Sequence, residues 1–105
     1  INMVIVITGA GDGIGKELCK KYLKQKCSVI GVDISSQNLH AMASENANFY
    51  PVISSVCDKK NFEAGVSDIT QKIGPPNLWF NNAGIAKVDK FQNVDLEDFD
   101  KVIDV

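Results

Sequence analysis

The chain alternates between two patterns of hydrophobic and polar positions. Short apolar runs rich in Val, Ile and aromatic residues occupy residues 4–7, 28–32, 49–53 and 78–80, and such runs predict strands. Between them, apolar residues recur three or four positions apart while polar residues take the other faces, which predicts amphipathic helices. We therefore expect strand and helix to alternate four times along the chain.

Each predicted helix has an apolar stripe, and the last three also begin at a suitable capping residue. Ser35 or Ser36, Asp58 and Asp95 can each cap a helix N-terminus. Pro51 lacks a backbone donor, so the third strand is expected at an edge of the sheet. The stripes consist of Ile14, Leu18 and Tyr22; Leu39, Met42 and Ala43; Phe62, Val66, Ile69 and Ile73; and Leu96, Phe99, Val102 and Ile103.

The alternation of strand and helix predicts an α/β fold. Right-handed βαβ units build a doubly wound parallel sheet with helices on both faces, which gives three layers, αβα. We expect the strand order 3-2-1-4, with a crevice between strands 1 and 4, where the order reverses.

The most informative stretch lies between the first strand and the first helix, where residues 8–15 read TGAGDGIG. A tight turn into a helix N-terminus offers unpaired N–H groups and the positive end of the helix dipole, which together favour a phosphate. Gly9, Gly13 and Gly15 are expected to supply positive φ angles and a close approach of the backbone to a pyrophosphate.

The spacing of these glycines distinguishes between nucleotide-binding families. A P-loop requires Gly where this chain has Ala10, and Ser or Thr where it has Glu17. The common G-x-G-x-x-G pattern is not met either. The pattern present, T-G-x-x-x-G-x-G, resembles the cofactor loop of the short-chain dehydrogenase/reductase family, whose members have a Rossmann-type fold.

Composition narrows the function classes further. The chain has 105 residues, 45% of them hydrophobic, and a net charge of −2, so we expect one domain, no nucleic-acid partner and no membrane partner. Cys19, Cys27 and Cys57 form no C-x-x-C pair. They are expected to be reduced, buried thiols of a cytoplasmic protein. With His40 as the single histidine, no metal site is expected.

Two acidic residues bear on the choice of cofactor. Asp33 ends the second predicted strand, eighteen residues after Gly15, where a carboxylate can accept hydrogen bonds from the adenosine ribose and repel a 2′-phosphate. Asp12 stands where NADP-dependent members of the family often have a basic residue. Both favour NAD(H) over NADP(H), although Asp33 is also compatible with a solvated acid at a strand end. Ile34 is expected either against the adenine or in the core.

A second match follows the fourth strand, where residues 81–84 read NNAG. The family has the same four residues at this place, where they line the adenosine ribose, and the resemblance therefore extends this role to Asn82, Ala83 and Gly84. The family's Asp-Val after strand three is replaced here by Ser55-Val56, and the serine hydroxyl remains able to accept a hydrogen bond from adenine.

The catalytic residues of the family are not among these residues. Its Ser and Tyr-x-x-x-Lys are expected beyond Val105, so the chain resembles an N-terminal, cofactor-binding portion, truncated before the catalytic segment. Tyr22 and Lys26 also spell Y-x-x-x-K. Because Tyr22 belongs to an apolar stripe, we expect a core tyrosine beside a solvated lysine.

The resemblance implies an NAD(P)-dependent oxidoreductase that transfers hydride between nicotinamide and a small carbonyl or alcohol substrate. It also implies a homo-oligomer, in which Leu96, Phe99 and Ile103 are available to face a second copy. A non-catalytic NAD(H)-binding half-domain or sensor is the alternative, because a fold does not determine its function.

Overall fold

A computed structural model describes residues 3–82 of the chain. Its elements are β1 (Val4–Thr8), α1 (Gly13–Lys24), β2 (Ser28–Asp33), α2 (Ser36–Glu45), β3 (Phe49–Ile53), α3 (Lys59–Ile73) and β4 (Leu78–Phe80). The four predicted strands and the first three predicted helices are confirmed. The predicted fourth helix, with Asp95 and its stripe, lies outside the described residues.

The four strands form one parallel sheet in the order β3-β2-β1-β4, as the alternation predicted. Pro51 lies on β3, at the edge of this sheet, opposite Gly31 of β2. The position at an edge suits a residue with no N–H to donate. The carboxyl ends of β1, β2 and β4 meet on one side of the sheet, where the glycine-rich turn also lies.

The sheet separates two hydrophobic cores, so the three-layer prediction is confirmed. Successive β1 residues face opposite ways, with Ile5 and Ile7 in one core and Val4 and Val6 in the other. The first core receives α1 and α2 through Cys19, Leu23, Leu39 and Met42, and the second receives α3 through Val66. Among residues 3–82, no helix is long and apolar enough to cross a membrane.

The predicted stripe of α1 is wrong at its first member. Ile14 is 70% exposed, and the buried positions of the helix are Gly15, Cys19 and Leu23. Gly15 packs against the turn, and this contact fixes the rotation of α1 about its axis. Cys19 and Leu23, four and eight positions after Gly15, therefore face the sheet. Leu18 and Tyr22 lie along the boundary of the core and are partly buried.

The predicted helix starts are largely confirmed. Asp58 caps α3, with its Oδ1 accepting a hydrogen bond from the Asn61 N–H at 3.3 Å. Ser35 occupies the N-cap position of α2, but its hydroxyl makes no capping hydrogen bond. The backbone N–H of Ser35 instead donates to Asp33 Oδ1 at 3.1 Å.

All three cysteines are free thiols, but the prediction that all are buried is wrong for one of them. Cys19 and Cys27 are buried, whereas Cys57 is exposed. Cys57 lies in the connection between β3 and α3, outside any strand or helix, and connections of this kind run over the surface. Burial raises the pKa of the Cys19 thiol from 9.0 to about 12.

Candidate functional site

The glycine-rich turn lies at the carboxyl end of β1, between the ends of β2 and β4. Its backbone is held to β2 by the Ala10 N–H, which donates to the Val32 carbonyl at 3.1 Å. Gly9 and Gly13 have φ angles of 66° and 50°, a region that residues with a Cβ seldom adopt. The predicted need for positive φ is therefore confirmed at these two positions.

Gly15 is required for a different reason, which is space. A Cβ built on Gly15 would lie 2.0 Å from the Gly9 carbonyl oxygen and 2.8 Å from Asn82 Nδ2. No side chain fits at such distances, so the first turn of α1 packs directly on the start of the glycine turn. This packing also brings Asn82, the second residue of the NNAG segment, next to the glycine turn.

The N-terminus of α1 presents backbone donors beside the turn. Asp12 is the N-cap, and its Oδ1 accepts a hydrogen bond from the Gly13 N–H at 2.8 Å. The N–H groups of Ile14 and Gly15 have no acceptor among residues 3–82, as expected for the first turn of a helix. Within residues 3–82, no atom lies within 4 Å of a Cβ built on Gly13. These features suit a phosphate group.

Asp33 is tied to the turn rather than freely solvated. Its Oδ2 accepts a hydrogen bond from the Gly11 N–H at 2.8 Å, and its Oδ1 accepts one from the Ser35 N–H at 3.1 Å. The residue is half-buried. Since a carboxylate offers about four lone-pair positions, two remain for further donors. Asp33 is thus bonded to the turn while remaining partly exposed, and its role toward the coenzyme stays a prediction.

Sequence reasoning missed one side chain at this site, that of Asn38. Its Nδ2 donates to the Gly11 carbonyl oxygen at 2.8 Å, so Asn38 of α2 and Asp33 of β2 hold the same glycine from two sides. A polar residue near the start of a helix has no distinctive spacing, and nothing in the sequence marks this contact.

The end of β4 is joined to β1 through Thr8. The Thr8 hydroxyl oxygen accepts a hydrogen bond from the Asn82 N–H at 2.8 Å, and the hydroxyl donates to the Phe80 carbonyl at 3.4 Å. The two motifs singled out in the sequence thus meet at neighbouring strand ends. The other residues predicted there, Ala83 and Gly84, lie outside the described residues.

The side chains expected around adenine are at the same ends of the strands. Ile34, directly after β2, is 71% exposed, so its alternative placement in the core is wrong. The Ser55 hydroxyl oxygen accepts a hydrogen bond from the Cys57 N–H at 3.0 Å, and its second lone pair can still accept the hydrogen bond expected from adenine. Val56 is partly buried and packs against the second core, the one that receives α3.

Tyr22 and Lys26 have the predicted surroundings, since Tyr22 packs against the first core and Lys26 is solvated. The Tyr22 ring packs against Phe80, with 5.8 Å between the ring centroids, and Lys26 is exposed beyond the end of α1. A groove of about 900 Å³ between α1 and α2 is lined by lysines, among them Lys16 and Lys20, and by Glu45. None of residues 9–15 lines this groove, but it reaches the turn at Lys16 and at Asn38, whose Nδ2 donates to the Gly11 carbonyl.

Comparison with known proteins agrees with this geometry. The family model described as short chain dehydrogenase matches residues 3–105. The chain belongs to the short chain dehydrogenase family. The NADPH-dependent pterin aldehyde reductase of Arabidopsis thaliana is 35% identical to this member over 104 residues, which is 95% of this chain and 43% of that protein.

Two further members show the same relationship. The 3-oxoacyl-(acyl-carrier-protein) reductase FabG of Thermotoga maritima is 33% identical over 97% of this chain and 43% of its own length. The crystal structure of 3-ketoacyl-(acyl-carrier-protein) reductase from Brucella melitensis complexed with NADH has a TM-score of 0.68 and 26% identity, covering 73% of this chain and 32% of that one. The chain thus spans less than half the length of these relatives.

Proposed function

We propose that the protein is an NAD(P)-dependent oxidoreductase and that these residues supply its coenzyme-binding half. The observation that carries the proposal is the glycine turn at the crossover of a 3-2-1-4 parallel sheet, where the N–H groups of Ile14 and Gly15 have no acceptor among the residues that the structure describes. The Brucella melitensis relative is complexed with NADH, and the Arabidopsis thaliana relative is named as NADPH-dependent. Both support a nicotinamide coenzyme.

When bound, such a coenzyme would supply hydride to the carbon of a carbonyl substrate in its reduced form, or accept hydride from the carbon of an alcohol in its oxidised form. The residues of this chain bind and orient it. Ile14 and Gly15 would donate their N–H groups to the pyrophosphate, and Asp33 would accept hydrogen bonds from the adenosine ribose. Ile34, Val56 and the Ser55 hydroxyl would contact adenine. Asn82, with Ala83 and Gly84, would line the ribose.

We propose that NAD(H) is favoured over NADP(H). The carboxylates of Asp33 and Asp12 flank the turn, and no basic residue lies within residues 8–15. An acid at the ribose attracts its hydroxyls and repels a 2′-phosphate. Replacing Asp33 with Ala should therefore narrow the difference between the NADH and NADPH affinities, measured by titration of the purified protein. An unchanged ratio would show that Asp33 does not set the preference.

Measuring the turnover of NADH distinguishes an oxidoreductase from a non-catalytic NAD(H)-binding module. The purified protein is mixed with NADH and a panel of small aldehydes and ketones, and the absorbance of the reduced nicotinamide is followed. Consumption of NADH that depends on the carbonyl compound supports the oxidoreductase. Saturable NADH binding without turnover across the panel supports the binding module instead.

We propose that residues 1–105 are the N-terminal part of a single Rossmann-type domain whose Ser and Tyr-x-x-x-Lys follow. The support is that the match to the family runs through residue 105 while the chain covers 43% of the Thermotoga maritima and Arabidopsis thaliana reductases. The intact mass of the protein isolated from its source tests this. A mass well above 11.4 kDa is expected, whereas 11.4 kDa would mean that the catalytic part is absent.

We also propose that the protein forms a homo-oligomer, as the family resemblance implies. The residues expected to face a second copy, Leu96, Phe99 and Ile103, lie outside the described residues. Light scattering on the purified protein should give a multiple of its intact mass, and a single copy at micromolar concentration would contradict the proposal.

A further inference from the structure

We propose that Asn38 is a positioning residue that makes coenzyme discrimination strict by holding Gly11 and, through it, the Asp33 carboxylate. The inference rests on the proposed function, because discrimination has meaning only if NADH or NADPH binds at the turn. We propose no direct contact between Asn38 and the coenzyme. Asn38 would act on the preference between NADH and NADPH through the backbone of the glycine turn.

Gly11 is held from both sides by these two side chains. Its N–H donates to Asp33 Oδ2 at 2.8 Å, and its carbonyl oxygen accepts from Asn38 Nδ2 at 2.8 Å. The contact is also tight, because a Cβ on Gly11 would lie 2.9 Å from Asp33 Oδ2 and 3.4 Å from Asn38 Cβ. Gly11 is itself buried, so its polar groups depend on these partners for their hydrogen bonds.

The same arrangement limits what Asp33 can do. Both of its carboxylate oxygens accept backbone hydrogen bonds, one from Gly11 and one from Ser35. To accommodate a 2′-phosphate the carboxylate must withdraw, and Gly11 must then follow it or lose its acceptor. With its carbonyl oxygen held by Asn38, Gly11 cannot follow without breaking a second hydrogen bond. The acid therefore stays in place and continues to repel the phosphate.

Replacing Asn38 tests this by releasing one side of Gly11. Asn38→Ala removes the donor, and Asn38→Leu removes it while keeping the same branching and number of side-chain heavy atoms and adding no charge. The dissociation constants of NADH and NADPH are measured on the purified protein. In both variants we expect the ratio of the NADPH constant to the NADH constant to fall roughly three- to tenfold, the range expected for losing about one hydrogen bond.

Asn46→Ala is the matched control, because Asn46 Nδ2 donates to the Met42 carbonyl at 3.0 Å at the far end of the same helix. This variant also loses an asparagine-to-backbone hydrogen bond and should keep the wild-type ratio. If the Asn38 variants weaken NADH and NADPH by the same factor, or leave both unchanged, the positioning role is wrong. A general loss of helix stability would lower both affinities together.

Amide hydrogen exchange provides a second readout that does not depend on the coenzyme. In Asn38→Leu, the Gly11 N–H should lose protection by several-fold, while the Cys57 N–H, which donates to Ser55 Oγ at 3.0 Å, should be unaffected. Unchanged protection at Gly11 would overturn the proposal. If the wild-type protein binds neither NADH nor NADPH, the proposed function fails instead, and the exchange result still tests how Gly11 is held.

Discussion

At the scale of single residues, the glycines of the turn have separate physical roles. Gly9 and Gly13 adopt positive φ angles, whereas Gly15 lies so close to the Gly9 carbonyl that a Cβ would be 2.0 Å from its oxygen. The motif T-G-x-x-x-G-x-G contains all three glycines and does not distinguish these roles. The difference matters for mutagenesis, because a steric conflict with backbone cannot be relieved by rotating a side chain.

Gly15→Ala should both destabilise the protein and weaken coenzyme binding. Pushing the first turn of α1 away from Gly9 costs about 1–3 kcal/mol of unfolding free energy, typical of overpacking, and displaces the N–H groups offered to the pyrophosphate. Denaturant unfolding and NADH titration measure the two effects. Lys20→Ala, on an exposed position of the same helix, should change neither, and wild-type NADH affinity in Gly15→Ala would contradict the assigned site.

The thiols should differ in reactivity in the order of their exposure. Cys57 is exposed, whereas Cys19 is fully buried with its pKa raised to about 12 by that burial. Because the thiolate is the reactive form, a maleimide or iodoacetamide should modify Cys57 first in the native protein, and Cys19 only on unfolding. Peptide mass mapping follows the order of labelling. Modification of Cys19 at the rate of Cys57 would mean that the first core opens readily.

At the scale of elements, the end of α1 has a Schellman motif with an unusual residue in it. The Lys26 N–H donates to the Leu23 carbonyl at 3.0 Å, and the Cys27 N–H donates to the Tyr22 carbonyl at 3.1 Å. Lys26 has a φ angle of 70°, at the position that most often holds glycine. The helix thus ends correctly, but with a side chain in the left-handed region.

Lys26→Gly should therefore stabilise the protein. Removing the left-handed strain outweighs the added freedom of the unfolded chain, for a net gain of roughly 0.5–1 kcal/mol. Thermal or denaturant unfolding measures the gain. The same variant removes the lysine of the Y-x-x-x-K sequence, so NADH affinity should stay at the wild-type value. A loss of binding would contradict the structural assignment of Tyr22 and Lys26.

Hydrophobic periodicity predicts which segments form strands and helices. It does not predict contacts between residues that are distant in the sequence or separated by the turn. The strand runs and the Asp58 cap needed only local information and are confirmed. The exposure of Ile14 depends on how Gly15 packs against Gly9, a contact across the turn that no helical period contains. The Asn38–Gly11 contact joins residues 27 positions apart, and it required the three-dimensional structure.

At the scale of the whole molecule, the order β3-β2-β1-β4 brings the functional segments together. The glycine turn follows β1, Asp33 ends β2 and Asn82 follows β4, and these strands are neighbours although their residues are distant in the chain. The strand order was predictable because right-handed crossovers leave few alternatives and 3-2-1-4 is the order of the dinucleotide-binding fold. The hydrogen bonds that tie the ends together, from Gly11 to Asp33 and from Asn82 to Thr8, depend on side-chain geometry.

The central claim is that a nicotinamide dinucleotide binds at this meeting point, and amide NMR of the purified protein titrated with NADH tests it most directly. Saturable chemical-shift changes are predicted at Gly13, Ile14 and Gly15 and around Asp33, with little change along α3 on the other face of the sheet. No saturable change at the glycine turn, or changes confined to α3, would contradict the account.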